Sequence, residues 1–233
     1  MTFEKNRTNA QSYFFKIGQS ERSCQHNLIK STLSAILWFM MNAKRLPMRT
    51  VLIAVLLLAV PGGCLATDYA VAVYAAQLTY EKWQDAIWPG ADLADATLVA
   101  ASGSWTVARW FGDRLSCELE GQVARHFGNQ THWEINLPIV GLRWHRFPWD
   151  DYLASSLAWG IGPSYATVVP AVELENNESS SRWLVYWFAE LTAAPPRARW
   201  EVLFRLHHRS NAFGAVAEDG GSNAVGAGLR YRF

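Results

Sequence analysis

His208 and Ser210 stand two residues apart at the end of the run WEVLFRLHHRS, residues 200–210. A serine hydroxyl is a poor nucleophile until an adjacent base takes its proton, and imidazole is the usual base. Side chains two apart on a strand share a face, so an extended backbone puts this base beside this hydroxyl. That face also carries Trp200, Val202, Phe204 and Leu206, while Glu201, Leu203, Arg205, His207 and Arg209 take the other. In a soluble barrel the apolar face turns inward. In a membrane barrel it turns out to lipid and the polar face fills the lumen. On the second reading His208 and Ser210 meet lipid, an odd place for them unless the substrate is itself a lipid.

The rest of the chain favours the second reading. Its 233 residues carry a formal net charge of +1, which gives no electrostatic reason to expect nucleic acid as a partner. Twelve tryptophans suit interfacial aromatic girdles. Met48-Arg49-Thr50 leads into the apolar run 51–60, then Pro61-Gly62-Gly63 and Cys64-Leu65-Ala66. This is the layout of a secretion signal, and the run is too short to cross a bilayer as a helix. We expect a signal peptide over 48–66, cleaved after Ala66, and a mature barrel over 67–233. Residues 1–47 have no evident role; translation starting at Met48 would make them a non-native or disordered extension. Cys64 as a lipidated cysteine is disfavoured because no aliphatic residue stands in the preceding Pro61-Gly62-Gly63. Cleavage leaves Cys117 as the lone cysteine, so the mature chain has no internal disulfide.

After Ala66 the chain falls into strand-like stretches at 68–81, 95–111, 115–128, 131–147, 152–169, 182–194, 199–213 and 222–233. The fold class expected is all-β, an eight-stranded antiparallel transmembrane β-barrel of the bacterial outer membrane. Trp133, Ile135, Leu137 and Ile139 share one face opposite Glu134 and Asn136. Glu118, Glu120, Gln122 and His126 oppose Leu119, Val123 and Phe127. Inward carboxylates are expected to pair with inward Arg205, Arg209, Arg230 and Arg232, since unpaired charge in a narrow lumen is expensive. His207 faces the lumen by parity. The histidines lack partners at metal-ligand spacing, so no metal site is expected, and no cofactor is implied.

His208-Arg209-Ser210-Asn211-Ala212, followed by a loop and a last strand ending Gly228-Leu229-Arg230-Tyr231-Arg232-Phe233, resembles the lipid A 3-O-deacylases of the outer membrane, the PagL family. The terminal phenylalanine likewise resembles the C-terminal recognition signal of outer-membrane proteins. The family resemblance implies an ester hydrolase with lipid A, or lipopolysaccharide, as substrate. It makes Ser210 the nucleophile, His208 the base, and Asn211 with backbone N–H groups near Phe213 and Gly214 the oxyanion donors. A glycine of the family stands at Phe213 here, and its glutamate falls at about Asn223. Asn223 is therefore the expected orienter of His208, with Glu218 and Asp219 as alternatives. A non-catalytic barrel with a structural or ligand-binding role, and more distantly an acyltransferase, stay open, as does a homodimer.

Overall fold

The computed structural model describes residues 68–233, so the signal peptide, its cleavage point and the 1–47 extension lie outside the described residues. Alternating apolar and polar residues make strands β1 (Tyr69–Thr79), β2 (Leu93–Trp110), β3 (Leu115–Gly128), β4 (Trp133–Asn136), β5 (Val140–Trp144), β6 (Ala154–Ala166), β7 (Trp183–Ala194), β8 (Trp200–Ser210) and β9 (Gly221–Arg232). Every pairing is antiparallel, and β4 and β5 together form one wall between β3 and β6. β1 pairs with both β2 and β9, which closes the ring and leaves no free edge. The result is an eight-walled barrel.

The fourth wall corrects the expected single strand over 131–147. From Asn136 to Gly141 it takes one residue more than β3 takes from Gln122 to Glu118, or β6 from Ser164 to Gly160. This is a β-bulge, and it sits at Pro138, which has no N–H to give a ladder. The flanking groups still bond: Leu137 N–H to the Pro163 carbonyl at 3.0 Å, Ile139 N–H to that of Ile161 at 3.1 Å, and Glu120 N–H to that of Pro138 at 3.1 Å. The extra residue changes which parity faces inward, from Glu134 and Asn136 to Gly141 and Arg143.

The surface is inside out, as a bilayer requires. Val71, Val73, Val99, Trp105, Val123, Trp133, Ile135, Leu157, Trp159, Phe204 and Leu229 are exposed on the outer face. Inside, Arg205 holds Glu120 through Nη1 and Nη2 at 2.6 and 3.0 Å and Glu190 through Nε at 2.8 Å. Arg143 holds Glu118 and Glu190 at 2.9 and 2.8 Å, and Arg230 bridges Glu201 and Glu118. The connections 80–92, 129–132, 167–182 and 211–220 gather at one end, which loop length marks as external. There the six-residue helix α1 (Ala171–Asn176), between the expected strands 152–169 and 182–194, lies over the mouth with Val172 and Glu173 buried. Burial pushes the Glu173 carboxyl up, although Arg209 Nη1 reaches it at 2.6 Å.

Candidate active site

His208 closes an outward-facing row of cross-strand neighbours at the external rim. Trp187 on β7 pairs with His208 on β8, His208 with Asn223 on β9, and Asn223 with Thr79 on β1. The His208 ring lies 4.6 Å from Trp187, and Trp83 of the 80–92 loop stands edge-on to Trp187 at 5.6 Å. Trp187 thus covers one side of the imidazole, and Trp83 backs Trp187.

Asn223 fixes the tautomer. Its Nδ2 donates to the Glu81 carbonyl at 2.9 Å, so its Oδ1 is the end turned to His208 Nδ1, 2.5 Å away. An amide oxygen only accepts, so Nδ1 carries the proton and Nε2 keeps the lone pair that a general base needs. Of the three groups expected as orienter, Asn223 is the one that meets His208. Asp219 instead accepts the Glu178 N–H at 2.9 Å, and Glu218 is exposed in the loop.

Ser210 shares the outer face with His208 and pairs with Gly221. Among the described residues no hydrogen bond joins the two; Ser210 Oγ accepts the Ala212 N–H at 3.4 Å. The loop after it is unusual. Ala212, Phe213 and Gly214 have φ of 52°, 58° and 82°, three successive residues in the left-handed region. Phe213 thus adopts the conformation that suits the glycine of the resembling family. In one helical turn the N–H groups all point to its N-terminal end, here back toward Ser210. The Ala212 N–H does so, while those of Phe213 and Gly214 have no acceptor among the described residues. The Asn211 side chain donates through one Nδ2 hydrogen to the Glu218 carbonyl at 3.2 Å, closing the loop, and keeps its second Nδ2 hydrogen.

Two further clusters escaped the sequence. Ser116 Oγ lies 2.7 Å from His145 Nε2, but this serine is buried inside the barrel near a polar cavity of about 400 Å³ at the internal mouth, away from any acyl chain. The other is His126, His132 and Glu134, whose potential ligand atoms lie within 4.8 Å of one another. Spacing hid it because the turn 129–132 folds His132 back against His126, with ring centroids 4.0 Å apart.

An inside-out closed barrel defines the class: a small β-barrel protein of the bacterial outer membrane. Solved structures of similar shape belong to that class. The outer membrane enzyme PagL aligns at a TM-score of 0.51 and 12% identity, over 69% of this chain and 98% of that one. The N-terminal β-barrel domain of Pseudomonas aeruginosa OprF gives 0.42 and 12%, over 72% and 98%. Neisserial surface protein A gives 0.45 and 9%, over 74% and 100%. No protein-family model matches the sequence, and no curated protein matches it.

Proposed function

We propose that the protein hydrolyses an ester-linked acyl chain of lipid A, at the 3-O position, in the outer leaflet. The observation that carries this is the Asn223–His208 pair: an imidazole on the lipid-facing rim, proton held at Nδ1 and lone pair free at Nε2, on the same face as Ser210. Ser210 Oγ attacks the ester carbonyl as His208 Nε2 takes its proton. The left-handed turn supplies N–H groups to the oxyanion. Collapse expels the sugar alkoxide, which leaves with the proton from His208. Water, deprotonated by the same nitrogen, then attacks the acyl-serine and releases the fatty acid and the free hydroxyl. Asn223 acts through His208 and is a positioning residue. The hydrogen bond from the Ser210 O–H to His208 Nε2 has to form with substrate, as such bonds often tighten only in the complex. The likeness to an outer membrane enzyme supports the reading at the level of fold.

A non-catalytic barrel is the second reading, favoured by Ser210 Oγ being turned to Ala212 N–H. Mass spectrometry of lipid A incubated with the folded protein separates them. Loss of one hydroxyacyl chain with wild type, and none with Ser210→Ala or His208→Ala, is the outcome expected of the hydrolase. An unaltered lipid A spectrum with folded wild type leaves the non-catalytic barrel.

A further inference from the structure

We infer that the outer end of the lumen binds one divalent transition-metal ion of the zinc class through His126, His132 and Glu134. The site lies inside the barrel, so it stands apart from the chemistry proposed for the lipid-facing rim. All three side chains are buried, and their ligating atoms already lie within 4.8 Å of one another. His132 is 1% exposed, and neither of its ring nitrogens has a hydrogen-bond partner. An imidazole with both nitrogens buried and unsatisfied is a costly arrangement that natural interiors avoid. A metal ion removes the difficulty by taking the lone pair.

The other two ligands are held in position. Asn136 Nδ2 donates to Glu134 Oε1 at 2.7 Å and His207 Nε2 lies 2.9 Å from the same oxygen, which leaves Oε2 for a further partner. Glu134 Oε2 is 3.1 Å from His126 Nε2. Two ligand atoms on a tetrahedral ion with bonds near 2.0–2.1 Å are about 3.3 Å apart, so an ion can replace the bridging proton with little movement of that pair. His132, stacked on His126 with the rings 15° apart, becomes the third ligand by turning its ring out of the stack to aim a nitrogen at the ion. His126 Nδ1 faces the Gln130 side-chain amide at 3.0 Å. Turning that amide over lets Gln130 Oε1 accept from Nδ1, the usual support of a metal-bound imidazole, and releases the Val172 N–H it now accepts.

Donor chemistry selects the ion. Two imidazoles and one carboxylate with a fourth position open suit zinc and its first-row neighbours, whereas calcium and magnesium take oxygen ligands. The opposing charge is Arg209, whose Nε is 3.8 Å from Glu134 Oε2; Glu173 compensates it through Nη1 at 2.6 Å. A bound ion would tie β3 to the 129–132 turn and β4, and through His207 to β8.

The test uses the full chain, folded in detergent, stripped with chelator, and titrated with Zn²⁺ and separately with Co²⁺ as a spectroscopic probe. Expected are one equivalent bound, the ligand-field absorption of four-coordinate Co²⁺, and a melting temperature raised by metal. His132→Ala and Glu134→Gln abolish these effects, and His145→Ala keeps them. Asn136→Ala retains all three ligands and weakens binding about ten- to a hundredfold, which keeps the test open should the ligand variants not fold. Absence of stoichiometric binding by folded wild type overturns the inference. So does binding that a folded His132→Ala variant retains in full, since the ion is then adventitious.

Discussion

Asn223 answers to two neighbours at once, accepting from His208 Nδ1 and donating to the Glu81 carbonyl. A carboxylate would serve the imidazolium better, but it would face that carbonyl oxygen with nothing to donate. The local chemistry therefore favours an amide over the acid of the resembling family. Asn223→Asp tests the balance. The tautomer is already correct, so we expect much less than the roughly 10⁴ that a triad loses with its acid; a rise in kcat of about tenfold is the expected outcome. The orphaned Glu81 carbonyl should lower stability by about 1–3 kcal/mol. Deacylation rates by mass spectrometry, with urea unfolding alongside, check both; an unchanged kcat would mean that charge is not what the site lacks. At this scale much was legible. Strand parity placed His208, Ser210 and Asn223 on one face, because a two-residue repeat is local. The Glu81 bond and the Trp83–Trp187 wall were not legible, since they depend on how the 80–92 loop folds back across the closing pair of strands. Nor was the Asn211 bond to the Glu218 carbonyl, which depends on how the 211–220 loop folds.

Among the elements, the fourth wall shows where pattern reading ends. Trp133, Ile135, Leu137 and Ile139 alternate without a break, so the sequence hides the added residue until Gly141 and Arg143 appear on the inner face. Gly162 on β6 marks the same place from the other side. A Cβ there would stand 1.9 Å from the Leu137 carbonyl oxygen and 2.8 Å from Pro138 Cα, both backbone atoms fixed by ladders. Gly162→Ala should therefore cost about 3 kcal/mol or prevent closure, as overpacking of a rigid site does. Urea titration of folding into lipid vesicles measures it, and a barrel as stable as wild type would show the bulge to be soft. Helix α1 was equally hidden, because Ala171–Asn176 is too short to display a helical period.

For the molecule as a whole, the inward direction of Glu118, Glu120, Arg205, Arg209 and Arg230 could be read from the sequence, but the choice of partners could not. Arg205 reaches across the lumen from β8 to Glu120 on β3, a match set by barrel diameter and strand stagger rather than by spacing. Its guanidinium also lies 4.1 Å from the Phe188 ring centroid. Arg205→Met leaves Glu120 without its cation and should destabilise the barrel by about 3–5 kcal/mol. The double variant Arg205→Met/Glu120→Leu should recover much of that loss, because a buried ion pair exchanged for apolar groups is often neutral. Denaturant midpoints of the two variants decide it, and equal losses would contradict the pairing. The same packing has an electrical consequence. With Arg143, Arg205 and Arg230 bound to carboxylates across the lumen and Tyr74, Tyr186 and Phe188 buried between them, side chains fill the middle of the barrel, as eight strands allow, and we expect the protein in a planar bilayer to conduct no ions.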